Sequence, residues 1–318
     1  VRHLIPVHFA DNAFGGYALG GSIEKRLFEL NSMAASEGGL PAAFLSKTVS
    51  NAGLPIAPTV ALPKDEDCSA SGFDLPCNAR GLTTLGTHLI TSMMNKGMII
   101  DIDHMSKRST DSVLVLTSRR QYPVVGGHTG FVTTSVGGHK SERDKSPSLL
   151  SAIKQFGGMV SVGVNGEKAA TYVPSWRGAV AVVANDCDGT SKTFAQSYLY
   201  AVEMMGGSGT AAVGLATDQF MTEMPRPRFG NKHCPGQANP VTYPITAHMP
   251  GVTLGASRTT NREWDYNTEG LVHFGLLPDF IQDLKNDGLT DQDLAPLFRS
   301  AEGYIRMWER AVASVPVP

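Results

Sequence analysis

Met98-Ile99-Ile100-Asp101-Ile102-Asp103-His104 is a short β-branched run that ends on a metal-capable side chain. A turn and a helical pattern over 107–120 follow it, and an amphipathic pattern over 84–96 precedes it, with Leu85, Leu89 and Met93 at helical spacing. Other runs repeat the design: Pro123 to His128, Gly158 to Val164, Ala211 to Asp218 and the opening Leu4 to His8. Between them lie helix candidates over 147–156, with Ser146 as N-cap and Pro147 in the first turn, and over 192–205. Strand and helix in alternation predict an α/β fold with parallel strands. The tail is predicted helical over Leu276–Leu284, Asp291–Phe298 and Ala301–Val312.

Two stretches break the rhythm. Residues 28–78 are rich in Gly, Ala, Pro and Ser, and residues 219–266 are proline-rich, so both read as long excursions from strand ends. The chain opens on a strand-like segment at Val1, which suggests that it starts partway through a fold.

Composition bounds the function. Of 318 residues, 42% are hydrophobic and 18% charged, enough apolar content to bury a core. With 27 basic against 29 acidic residues and no basic block, nucleic acid is not an expected partner. The longest apolar run, Ala179 to Ala184, is too short to span a bilayer. Cys68, Cys77, Cys187 and Cys234 all fall outside the strands. An exported enzyme, secreted or periplasmic, would use them as Cys68–Cys77 and Cys187–Cys234 bridges; free loop thiols and a structural zinc are the alternatives.

In parallel α/β folds the carboxyl ends of the strands converge on one face. Those ends carry His8, His104, His128 and Asp218, the nitrogen and oxygen donors that divalent zinc accepts. Period-2 alternation points Asp101 and Asp103 one way and Ile102 and His104 the other, unless the histidine at the lip leaves the alternation. Asp103 is then either a carboxylate that supports a ligand or a turn residue. Asp218 follows the small-residue strand Val213-Gly214-Leu215-Ala216-Thr217. A carboxylate there can touch a metal and take a proton from water, the pairing that hydrolysis needs.

Val1 to Gly16, Gly81 to Gly86, Met94 to Ser106 and Val213 to Asp218, with the closing Gly270-Leu271 to Pro278, resemble the membrane (renal) dipeptidase family of the amidohydrolase superfamily. The resemblance implies a (β/α)8 barrel of metal-dependent hydrolase type, of which this chain supplies roughly strands four to eight as one domain over 1–318. It also implies two zinc ions and hydrolysis of a dipeptide or similar small amide by a metal-bridging hydroxide. His104 and His128 would bind one zinc, and Asp218 would lie on the metal and act as acid and base. His8 would stabilise the oxyanion of the substrate. Arg143 is the nearest match to the arginine that holds the substrate carboxylate, with Lys140 as a rival.

The family's first ligands, a His-x-Asp and a bridging glutamate, would come from an upstream fragment or companion chain that completes the barrel. A homodimer is a further expectation. Asp218-Gln219-Phe220-Met221 and Thr129-Gly130-Phe131 depart from the family pattern and alter the substrate rim. Other functions on this scaffold are a different metal-dependent ester, lactone or amide hydrolase, or a noncatalytic binding protein on a decayed barrel.

Overall fold

Ile99 and Ile100 are 1% and 0% exposed, and the strand they begin organises the first half of the chain. The computed structural model describes residues 2–8, 12–18, 48–49, 55–56, 77–78, 80–136, 141–166, 168–178, 183–218, 225–230 and 234–315. They fall into two compact units, residues 1–159 with 303–318, and residues 160–302.

In the first unit the elements are β1 (His3–Leu4), β2 (Thr48–Val49), β3 (Pro55–Ile56), α1 (Thr84–Asn95), β4 (Ile99–Asp101), α2 (Lys107–Ser118), β5 (Val124–Thr129) and α3 (Pro147–Gln155). β4 is flanked by β1 and β5, and both pairings are parallel, with His3 opposite Ile99 and Asp101 opposite Val125. β2 and β3 pair antiparallel within the first excursion. Each helix starts where a hydroxyl can satisfy an orphan amide: Thr83 accepts from Gly86, Ser106 from Ser109 and Ser146 from Leu149.

The expected strand over Leu4–His8 is shortened to His3–Leu4, and the chain bends at Pro6 and Val7. Pro6 has no amide hydrogen to give to a ladder, so pairing stops before it. Beyond the bend, residues 12–18 are fixed by α1 and α2. A side chain at Gly86 would place its Cβ 1.9 Å from the Phe14 carbonyl oxygen, so only glycine lets α1 approach this closely. The Ser109 hydroxyl accepts from the Gly16 amide at 3.0 Å and donates to its carbonyl at 3.1 Å.

One face of β4 and β5 packs on the carboxyl-terminal helix α8 (Ser300–Ala313), whose residues from Gly303 onward belong to this unit. Ile99, Val125, Met159 and Met307 form this cluster, with Tyr304 and Trp308 against it. Burying one such aliphatic side chain is worth roughly 1.5 to 3 kcal/mol, and truncating Ile99 to alanine would cost about 2 to 5 kcal/mol.

The second unit is built on β6 (Met159–Gly163), which starts at the boundary, and β7 (Val213–Ala216), with Val160 opposite Val213 in parallel register. α4 (Ser191–Met204) connects them and is capped by Thr190. The second excursion forms two antiparallel hairpins, β8 (Ile245–Thr246) with β9 (Thr253–Leu254), and β10 (Arg258–Thr259) with β11 (Arg262–Glu263). After the short α5 (Tyr266–Glu269) come α6 (Leu277–Asn286) and α7 (Asp291–Phe298), the latter opened by a Thr290–Asp293 capping box.

Two ties hold the segment after β7. Cys187 and Cys234 form a disulfide, as the exported reading expects. The buried Arg228 guanidinium reaches Asp283 at 2.6 Å and Asp287 at 3.2 Å, and the Ser191 hydroxyl donates to one of the same carboxylates at 2.6 Å. Cys77 is also disulfide-bonded. Cys68, its expected partner, lies outside the described residues.

Candidate active site

The first unit gathers three of the sequence candidates at the carboxyl ends of its strands. His104 follows β4 by three residues and takes a left-handed backbone, φ 64°. This removes it from the strand alternation, the exception open at the lip. Asp101 and Asp103, by contrast, share a face: a Cβ on Gly127 would meet carboxylate oxygens of both, at 2.4 and 3.7 Å.

His128 lies within β5, and its Nε2 is 2.6 Å from Nε2 of His104. The His8 ring lies 4.5 Å from His104, centroid to centroid, and is exposed at the surface. Burial, with the positive fields of Arg143, His128 and His8 added to it, pushes the His104 imidazole down to about 2, so it is neutral at any working pH. Its Nδ1 is buried and has no hydrogen-bond partner among the described residues. A neutral imidazole with its ring nitrogen turned toward a second histidine is the state in which this side chain ligates a metal.

Asp103 supports that arrangement. Its Oδ2 accepts the His128 backbone amide at 2.6 Å and lies 3.4 Å from His128 Nδ1, while Oδ1 meets the buried Lys145 ammonium at 2.6 Å. Burial alone would raise the Asp103 carboxyl, but Lys145 and His128 more than offset it and hold the group below its ordinary value. An ionised carboxylate on the Nδ1 side of His128 favours the tautomer with the proton on Nδ1, in which Nε2 carries the lone pair that a metal takes. Asp103 thus turns one carboxylate oxygen to His128 and the other to Lys145.

A second carboxylate lies below. Asp101 Oδ1 accepts the amide of Asp103 at 2.9 Å, and Oδ2 meets His3 Nε2 at 2.9 Å. His3 Nδ1 in turn meets the Tyr304 hydroxyl of α8 at 2.9 Å. His3 and Tyr304 had no chemical signature in the sequence, being a strand residue and a helix residue whose partnership arises only on folding.

Arg143 is brought to the same place. Its Nη2 donates to the Tyr17 hydroxyl, and the guanidinium carbon lies 5.0 Å from the Tyr17 ring centroid. The Tyr17 ring stacks on His104 at 5.7 Å and 12°. Tyr17 was not among the sequence candidates. Lys140 lies outside the described residues.

Asp218 stands two residues past β7 in the second unit, with a left-handed φ of 34°. Gln219, Phe220 and Met221 lie outside the described residues, while Thr129, Gly130 and Phe131 continue β5 into its following turn. Among the described residues, no three His, Cys, Asp or Glu side chains come together as a group that could hold a metal ion.

Residues 62–226 match the model of the membrane dipeptidase family, peptidase family M19, over more than half of the chain. The chain belongs to the membrane dipeptidase family. The match takes in β4, β5, β6 and β7 with the helices between them, and therefore His104, His128, Arg143 and Asp218.

Among solved structures, this family member is similar to a metallo peptidase from Rhodobacter sphaeroides liganded with a phosphinate mimic of the dipeptide L-Ala-D-Ala. The identity is 15% and the TM-score 0.43, over 73% of this chain and 47% of the other. It is also similar to an amidohydrolase from Pseudomonas aeruginosa, at 17% identity and TM-score 0.42 over 73% and 57% of the two chains. A probable dipeptidase from the same organism gives 16%, 0.42, 74% and 55%. The chain thus spans about half the length of the structures it matches. No curated protein sequence matches it.

Proposed function

We propose that the protein containing this chain is a metal-dependent hydrolase of dipeptides or similar small amides. The observation that carries this reading is the convergence of the His104 and His128 Nε2 atoms, 2.6 Å apart, with Asp103 behind His128. The donor set fits a borderline divalent metal such as zinc, because both rings are nitrogen donors, one is held neutral and one is oriented by a carboxylate. His104 and His128 would hold it, and Asp218 is the proposed oxygen ligand. A bound metal supplies Lewis acidity and makes water a nucleophile near neutral pH.

The chain's own groups divide the remaining work. The Asp218 carboxylate takes the proton from the attacking water and delivers it to the leaving amine nitrogen. His8, exposed beside His104, donates to the carbonyl oxygen as negative charge develops there. Arg143 holds the free carboxylate of the substrate through its planar fork of donors. A (β/α)8 barrel needs further strands and, for a second zinc, further ligands, and an upstream segment would supply them. The Cys187–Cys234 bridge supports secretion or a periplasmic location. Among the described residues no helix is long and apolar enough to cross a membrane. A homodimer completes the proposal.

The test is hydrolysis of a panel of dipeptides by the purified protein. Activity should vanish on removal of divalent metal and return with zinc. Asp218→Asn should lower turnover by at least about 10²-fold at saturating substrate. Hydrolysis that is indifferent to chelation, or near-normal turnover in Asp218→Asn, contradicts the proposal.

A further inference from the structure

We infer that Asp101 is a positioning residue that sets the backbones of His104 and His128 relative to each other, its carboxylate aimed by His3 and Tyr304. This rests on the reading of the two histidines as metal ligands. Asp101 ends β4 and is 2% exposed. Its Oδ1 accepts the amide of Asp103 at 2.9 Å and that of Gly127 at 3.4 Å. These are the residues immediately before His104 and His128, so one oxygen stands at the entry to both.

The strand pairing explains why a side chain is needed there. β4 ends at Asp101, and the Ile102 amide still donates to the Val125 carbonyl at 2.9 Å. The chain then turns into the left-handed His104, φ 64°, while β5 runs on to Thr129. The β5 amides of Gly127 and His128 stand beyond the end of β4, and carboxylates receive them, Asp101 the first at 3.4 Å and Asp103 the second at 2.6 Å. Gly127 is matched to this arrangement. A Cβ there would lie 2.4 Å from Asp101 Oδ2, so the carboxylate occupies the room that a side chain would take.

The other oxygen fixes the direction of the carboxylate. Oδ2 meets His3 Nε2 at 2.9 Å, and His3 Nδ1 meets the Tyr304 hydroxyl at 2.9 Å. A carboxylate only accepts, so His3 Nε2 carries the hydrogen, and in the neutral ring Nδ1 accepts from Tyr304. Burial, with the negative field of Asp101 added, raises the Tyr304 phenol above its ordinary value and keeps it a donor. Through this chain α8 holds Asp101, and Asp101 holds the ends of two strands. Zinc–nitrogen bonds of about 2.0–2.1 Å tolerate little error in where two imidazoles stand. A pair built on a fixed backbone therefore binds metal more tightly than one that must be drawn together.

Asp101→Ala removes the acceptor, whereas Asp101→Asn keeps an oxygen for the two amides. Zinc affinity, measured by competition with a chelator, should fall about 10- to 100-fold in Asp101→Ala and stay close to wild type in Asp101→Asn. A residue that served the fold alone would lower stability without moving the affinity of the folded protein. Unchanged affinity in folded Asp101→Ala, or an equal loss in Asp101→Asn, overturns the inference. Should Asp101→Ala not fold, Tyr304→Phe decides: affinity lower by about 2- to 10-fold, the worth of one hydrogen bond, supports the role, and unchanged affinity refutes it. A further readout needs no metal. In metal-free protein labelled with ¹⁵N-histidine, the ring-nitrogen resonances of His104 and His128 should both shift in Asp101→Ala and return toward wild type in Asp101→Asn. If the wild type binds no zinc, the proposed function fails, and these resonances still decide the role of Asp101: identical spectra in wild type and Asp101→Ala, or in wild type and Tyr304→Phe where the former does not fold, refute it.

Discussion

Asp103 accepts the backbone amide of His128 at 2.6 Å and stands 3.4 Å from the ring Nδ1 of the same residue. One carboxylate thereby sets both the position of the strand end and the tautomer of the imidazole. Its other oxygen holds Lys145, which is 4% exposed and would otherwise be a buried cation without its counter-charge. Asp103→Asn should lower metal affinity roughly 10- to 100-fold, as measured by competition with a chelator, because the ring loses its orienting charge. It should also destabilise the protein by about 3 kcal/mol in a denaturant titration. Unchanged metal affinity in folded Asp103→Asn would contradict this role.

The sequence made the scaffold readable where local chemistry decides it. Ser146 before Pro147 and Ser106 before Lys107 mark helix starts without any knowledge of the partner elements, and α2 and α3 begin there. His104 and His128 were visible because each closes an apolar run. Tyr17 was not, because its meeting with Arg143 joins residues 126 positions apart and leaves no period in the chain. The same holds for His3 with Tyr304, 301 positions apart. Pro6 did carry a local signal, and it shortens the first strand in the way its missing amide dictates.

In the second unit, Arg228 is shared by two carboxylates. Burial, followed by the charge of Asp283, raises the Asp287 carboxyl to about 6 from its ordinary 3.8. The folded state therefore binds this proton more tightly than the unfolded chain does. The stabilisation is complete below the unfolded value and is lost as pH rises from about 4 through 6. Asp287→Asn should abolish that part of the pH dependence and stabilise the protein at pH 7 by on the order of 2 kcal/mol, since Arg228 keeps Asp283. Urea midpoints at pH 4.5 and 7 (about these values) provide the check. A loss of stability at pH 7 in the variant would contradict it.

The Cys187–Cys234 disulfide spans a sequence separation of 47 and ties the residues before α4 to the excursion after Asp218. Chain-entropy reasoning for a loop of that length gives about 4 kcal/mol of stabilisation through the unfolded state. Replacing both cysteines with alanine should lower the denaturant midpoint accordingly. Two additional titratable thiols in unreduced, denatured wild-type protein would show that the bridge does not form.

The metal content of purified wild-type protein and of the His104→Ala and His128→Ala variants, measured by elemental analysis after dialysis against metal-free buffer, decides whether these two histidines hold a metal. The wild type should retain divalent metal, and each variant, still folded by circular dichroism, should lose the equivalent that the two histidines hold. Full metal occupancy in both folded variants, equal to that of the wild type, would contradict that expectation.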